Sequence, residues 1–365
     1  MLRCGRLLTH GRVERPLKTS SNFEFRIWGG KENFGHGILR SGRFLSFGRV
    51  EWPLKKLLLA GFAAAFLLVS LGCTSAAARS GPPASPIEAA VAAATRRCGC
   101  RMGIVARHLE SGRAYEHNAG ETFESASVIK IAILTEAMAR AREGSVDLSE
   151  RWELTTENKA DGSGTLLILD PGLNPTWNDL LTLMIGPSDN TAANAWIQRL
   201  SVESVNARMA DLGFPNLRLF TTIPPLSSRG EEPSPWRGLR FGTIVPRELA
   251  EWMRQMAEGR LLDAESSAKI FQYLDKDPSR LRIARRFRSE ALWAGKTGSM
   301  RGVRNDSGVL RTRKGRFVLV VLTDGSTSDS ASGADHLSVL AIADVAKVIV
   351  DAWSAELPDM AEKPK

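Results

Sequence analysis

The sequence predicts a mixed α/β domain of the α+β kind, with one sheet assembled from both ends of the chain around a helical insert. Three observations predict it. Two strand-like runs, Arg101–Leu109 and Arg113–Ala119, flank Glu110-Ser111-Gly112 as a hairpin. Three more runs, Ala291–Ser299, Asp306–Thr312 and Arg316–Thr323, lie near the far end, the last two joined by Arg313-Lys314-Gly315. Between these groups the pattern is helical, and a helical insert in one sheet explains that order economically.

The elements follow in chain order. Ile87–Arg97 is Ala-rich and helical. Ser127–Arg142 is apolar nearly all round (Val128, Ile129, Ile131, Ile133, Leu134, Met138), as a central buried helix would be. Helices continue through Trp177–Ile185, Thr191–Leu200 and Ser201–Leu212, the last closed by Gly213. Asn216–Gly242 has turn residues and little periodicity, so it reads as a long loop, and long loops in compact domains are usually functional or mobile. Pro246–Glu258 and Asp263–Leu274 are helical, and Asp335–Ala355 is a long terminal helix.

Composition narrows the function. The 365 residues hold 49 Lys+Arg against 40 Asp+Glu, with 43% hydrophobic and 24% charged residues. That balance allows a real core and argues against disorder, collagen and a polytopic membrane protein. The net charge of +9 is not spread evenly. Residues 1–73 hold 12 Lys/Arg and 4 Asp/Glu, and the remaining 292 hold 37 and 36. The body is therefore nearly neutral, which argues against nucleic acid as a partner.

The basic excess belongs to a leader. Lys55-Lys56 precedes Leu57–Leu71, 15 apolar or small residues without charge. As a helix the run spans about 22 Å, short of the roughly 30 Å bilayer core. It reads as a secretory signal. Leu71-Gly72-Cys73 resembles a lipoprotein cleavage site with Cys73 as the acylated residue, and conventional cleavage near Ala76-Ala77-Ala78 is the alternative. Export to the cell envelope or periplasm follows, with membrane contact only through a lipid anchor. Upstream, Leu2–Lys18 matches Leu39–Lys55 at 12 of 17 positions with no packing period. We read 1–49 as an extension foreign to the native fold, with translation starting near Val50; a basic arm on an anionic surface is the alternative. Thr74–Pro86 is a small-residue, Pro-rich tether.

Beyond Cys4 and Cys73 the cysteines are Cys98 and Cys100. A C-x-C pair is too tight for an unstrained disulfide in an extended chain, so free thiols at a strand start are expected. The downstream histidines, His108, His117 and His336, show no H-x-H or H-E-x-x-H spacing, so no metal site is expected. There is no G-x-S-x-G elbow and no Walker-type phosphate loop. No cofactor is expected.

Three short motifs remain. Ser127-Val128-Ile129-Lys130 places a hydroxyl and an amine on one helix face, at a helix start, with Ile129, Ile131 and Ile133 desolvating the amine. The pattern alone is weak, because Ser266-Ser267-Ala268-Lys269 satisfies it too. Ser188-Asp189-Asn190 lies between two helices, though Ser204-Val205-Asn206 has the same Ser-x-Asn spacing. Lys296-Thr297-Gly298-Ser299 lies in a strand, where Gly298 lets a ligand approach the backbone closely. Together, in this order, the three are specific.

On these motifs the chain resembles class A β-lactamases and related penicillin-recognising serine hydrolases. The spacings, 61 positions from Ser127 to Ser188 and 108 from Ser188 to Lys296, are close to that family's layout, and Arg304-Asn305-Asp306 and Leu180–Asn194 also look familial. The resemblance covers about residues 86–355. It implies a five-stranded antiparallel sheet flanked by helices, a catalytic domain over 87–355 with a helical subdomain about 126–275, and a tail at 356–365. It implies that Ser127 is acylated, Lys130 removes its proton and Ser188 passes a proton to the departing nitrogen. Asn190 would hold the substrate's amide side chain; Lys296, Thr297 and Ser299 would bind its carboxylate. The N–H groups of Ser127 and Ser299 would form the oxyanion hole.

The chain departs from the family in one place. The segment 214–246 has no E-x-x-L-N, the stretch whose Glu activates the deacylating water in class A enzymes. Its carboxylates are Glu231 and Glu232, of which Glu232-Pro233 is the nearer match. The expected function is hydrolysis of the β-lactam amide through an acyl-enzyme. The alternatives are a D,D-peptidase or other amide or ester hydrolase acting on a peptidoglycan-like substrate, and a penicillin-binding domain that acylates without efficient turnover.

Overall fold

A computed structural model describes residues 85–228, 240–277, 279–287, 291–326 and 333–360. Cys73 and the rest of the leader, and both Glu231 and Glu232, lie outside the described residues.

The first helix, α1 (Pro86–Cys98), starts where the sequence is built for a start. Ser85 and Glu88 form a reciprocal capping box and Pro86 occupies the first turn. Two strands follow, β1 (Arg101–His108) and β2 (Ala114–His117). Near the other end come β6 (Leu292–Met300), β7 (Val303–Thr312), β8 (Gly315–Asp324) and α8 (Leu337–Ser354). The five strands form one sheet in the order β2-β1-β8-β7-β6, antiparallel throughout. Two strands from the start of the domain thus join three from its end, as expected.

Strand alternation sorts the sheet's two faces. Ile104, Ala106, Phe317, Leu319 and Val321 face a cluster with α1 and α8 that includes Val91, Ile342, Val345 and Trp353. Val105, Val318, Val320 and Leu322 face the second, larger cluster, which is mostly helical. Each fully buried Val, Leu or Ile side chain contributes about 1.5–3 kcal/mol.

The helical insert contains α2 (Lys130–Arg142), α3 (Trp177–Ile185), α4 (Asn190–Leu200), α5 (Val202–Asp211), α6 (Pro246–Ala257) and α7 (Ala264–Leu274). Helix α2 is buried on every side from Lys130 to Ala139, so the reading of a central helix holds. Its first turn differs from expectation. Ala126–Ile129 is a 3-10 turn that runs into α2, so Ser127 stands before the α-helix proper.

Three very short strands escaped the pattern reading: β3 (Phe123–Glu124), β4 (Arg218–Leu219) and β5 (Gly242–Ile244). They form a second sheet in the order β3-β5-β4, which brings the two ends of the long loop together. Two or three residues are too few to show a period of two.

The cysteine expectation is corrected. Cys98 and Cys100 form a disulfide with Cα atoms 5.1 Å apart. The chain between them is not extended: Gly99 adopts the left-handed conformation that ends α1 (φ 55°), and that turn brings the sulfurs together. Among the described residues no helix is long and apolar enough to cross a membrane.

Candidate active site

The three motifs converge. Ser127 lies in the 3-10 turn, where residues i and i+3 nearly eclipse, so Lys130 stands directly behind it. The turn is fastened from two sides. The Ser125 N–H donates to Gly242 O at 3.0 Å. The buried Asn305 side chain on β7 donates to Glu124 O at 2.7 Å and Ser125 O at 3.2 Å. Its carbonyl accepts from Thr323 N at 3.0 Å, so all of this amide's polarity is used to hold the turn against the sheet. Ala126 takes a positive φ of 43°, a strained choice for a residue with a Cβ.

Strand β6 passes close behind the same turn. A Cβ on Gly298 would sit 2.8 Å from Ser125 O and 3.1 Å from Val128 Cγ2. Gly298 therefore admits the Ser127 turn, whereas the sequence reading gave that space to a ligand.

Lys130 is fully buried. Its ammonium donates to Ser188 O at 2.6 Å, Asn190 Oδ1 at 2.7 Å, Ser188 Oγ at 3.3 Å and Asp189 O at 3.4 Å. All four acceptors belong to the Ser188–Asn190 loop; Ser127 Oγ is not among them. Burial pushes the amine's pKa well below its ordinary value, the nearby Lys296 adds to this and Asp189 opposes it. The look-alike motif differs in these respects: the Lys269 side chain is 51% exposed and pairs with Glu265.

The loop itself is tightly specified. Ser188 has a positive φ of 59°. Asp189 caps α4 through Ala192 N at 2.9 Å and accepts Leu166 N at 2.7 Å. Asn190 Nδ2 donates to Asp161 O at 2.7 Å. Both ends of the Asn190 amide are thus engaged within the protein. A segment that the sequence reading missed, Gly162-Ser163-Gly164, lies against this loop. Ser163 Oγ donates to Ser188 O at 2.8 Å, and Cβ atoms on Gly162 and Gly164 would come within 2.7 Å of Asn190 Nδ2 and 2.4 Å of Asp189 Cγ. Two glycines bracketing a serine were the available signal.

Lys296 on β6 is fully buried, and burial lowers its pKa to about 8, with Asp277 opposing and Arg282 adding to the fall. Thr297 directs its N–H and hydroxyl at Asp277 Oδ2, each at 3.4 Å. Ser299 is exposed and its hydroxyl accepts from Arg282. Arg282 also donates to Gly298 O at 2.7 Å and to Asn305 O. Asp306 lies beneath, fully buried, its pKa raised by burial to about 7 against the pull of Arg282. The sequence reading missed Arg282 and Asp277: one sits in an Arg-rich stretch and the other in a turn, neither with a pattern.

Ser127, Asn190 and Ser299 line one cleft of about 160 Å³, closed on the other side by Thr221–Pro224 and Phe241 of the long loop. That wall is fixed by Asn194, whose amide exchanges two hydrogen bonds with Ile223 at 2.8 and 2.9 Å. Among the described residues no cluster of His, Cys, Asp or Glu could hold a metal.

Comparison with known proteins agrees with this layout. A model of the beta-lactamase enzyme family matches residues 86–353. The chain belongs to that family. It is 28% identical over 280 residues to a beta-lactamase of Streptomyces albus G, covering 73% of this chain and 84% of the relative. The crystal structure of a beta-lactamase from Sphaerobacter thermophilus DSM 20745 is 31% identical, with a TM-score of 0.66 over 75% of this chain and 98% of that one. The structure of PBP-A shares the fold, with a TM-score of 0.63 at 24% identity over 75% of this chain and 98% of its own. The antiparallel five-stranded sheet and the helices around it are those of a beta-lactamase-like fold.

Proposed function

We propose that the protein is a serine β-lactamase of class A type that opens the β-lactam amide through an acyl-enzyme on Ser127. The observation that carries this reading is the buried Lys130, depressed in pKa and held 3.3 Å from Ser188 Oγ behind the Ser127 turn. As the neutral amine, Lys130 takes the Ser127 proton as Oγ attacks the carbonyl. It returns the proton through Ser188 to the departing nitrogen. The N–H groups of Ser127 and Ser299 receive the developing oxyanion; losing one such donor costs about 3–4 kcal/mol of barrier. Lys296, Thr297 and Ser299 receive the substrate carboxylate, and Asn190 faces its amide side chain. No cofactor enters the scheme.

The relatives named beta-lactamase and the motif spacing support turnover of β-lactams. The missing E-x-x-L-N favours slow deacylation. A chromogenic cephalosporin separates the readings: steady hydrolysis supports the proposal, one stoichiometric burst identifies a penicillin-binding domain, and no reaction points to a peptidase or other hydrolase. If Glu232 is the deacylating base, Glu232→Gln traps the acyl-enzyme and Glu231→Gln does little. The leader supports export, and Cys73 supports a lipid anchor, which labelled fatty acid incorporation lost in Cys73→Ser would test.

A further inference from the structure

A second concavity lies away from the Ser127 cleft, between α6, α7 and the sheet. It holds about 330 Å³, within the roughly 300–1,000 Å³ of small-molecule sites. Its floor is apolar: Met256 and Val309 are buried, and Phe271 forms one wall. No Asp or Glu lines it. Two arginines do, and they differ. Arg316 is neutralised by Glu110 at 2.7 Å and also donates to Ala257 O at 2.9 Å. Arg311 has no ion-pair partner among the described residues, and its guanidinium rests 5.2 Å from the centre of the Phe271 ring. The one nearby hydroxyl, Ser267 Oγ, is spent on Leu261 O at 2.7 Å. An apolar slot thus ends on one uncompensated cation held in place by an aromatic face.

We propose that this groove binds a small aromatic carboxylate, its ring against Met256, Val309 and Phe271 and its carboxylate on Arg311. The cation supplies a planar fork that matches a carboxylate, and the partly apolar surroundings strengthen that pairing. Charge complementarity excludes cations, and the mostly apolar lining favours a ring over a lone inorganic anion. The site is separate from the catalytic cleft, so it stands whether or not Ser127 proves to be the nucleophile.

Calorimetric titration of the full chain with 1-naphthoate tests this, with amide chemical-shift mapping to locate the ligand. The expected result is saturable one-to-one binding that shifts Gly259, Ala268, Phe271 and Arg311. Arg311→Gln is expected to weaken it by about tenfold, as is replacing the ligand by neutral 1-naphthalenemethanol. Ala268→Trp is expected to abolish it by filling the slot. Thermal melts check that both variants are folded, and Arg311, being exposed, decides the matter alone if Ala268→Trp is not. No saturable binding, unchanged affinity in Arg311→Gln, or shifts confined to the Ser127 cleft would each overturn the proposal.

Discussion

Burial strips Lys130 of the water that would solvate an ammonium, and the Ser188–Asn190 loop replaces that water with fixed acceptors. Burial is the largest influence on the Lys130 pKa and lowers it, the charge of Lys296 adds to the fall, and the charge of Asp189 opposes it. Lys130→Arg keeps the charge but cannot give up a proton. It is expected to slow acylation by about 10²–10⁴-fold, read as the rate of label incorporation from a penicillin. Lys296 loses its charge near pH 8, so KM for an anionic substrate should climb as pH rises through that value. An unchanged KM up to pH 10 would show that Lys296 does not face the carboxylate. Asp306 gives a stability signature. Its folded pKa, about 7, lies above the ordinary 3.8, so the folded state holds its proton longer than the unfolded state. Its contribution is therefore fully present below about pH 4 and is lost as pH rises towards 7. Denaturant melts should show this slope in the wild type and its loss in Asp306→Asn.

Elements hold these residues through backbone contacts that no periodicity reports. The buried Asn305 ties the Ser127 turn to β7 and β8. Asn305→Ala would strand two carbonyls and an N–H and is expected to cost about 2–4 kcal/mol, with slower acylation, measured by denaturant unfolding and label incorporation. Gly164 has φ 134° and no space for a Cβ beside Asp189. Gly164→Ala should displace the Ser188–Asn190 loop and lower acylation more than it lowers stability. The long elements were legible in the sequence because burial imposes their periods: β1 and β8 alternate between the two cores, and α2 is apolar all round. The short β3, β4 and β5 were not, since pairing of two or three residues depends on neighbours far along the chain. The Cys98–Cys100 disulfide was missed for a similar reason, because it depends on one left-handed glycine at a helix end. Ser127, Lys130, Ser188 and Lys296 were legible as motifs. Ser163 offered only its two flanking glycines as a signal, and Arg282 and Asp277 carry no motif and are visible only through their contacts.

Across the whole molecule, the sheet joins the start and the end of the domain, and the Ser127 cleft forms where the helical insert meets β6. The Ser127 turn, the Ser188–Asn190 loop and the Lys296 strand come from separate stretches of the chain, so the site exists only in the folded domain. That makes one covalent measurement decisive. Rapid-quench mass spectrometry of the protein mixed with benzylpenicillin reads the acyl-enzyme before it can hydrolyse. The expected result is one penicilloyl adduct, on the peptide containing Ser127, absent from Ser127→Ala. An adduct retained in Ser127→Ala, or mapped to Ser266, would contradict the account.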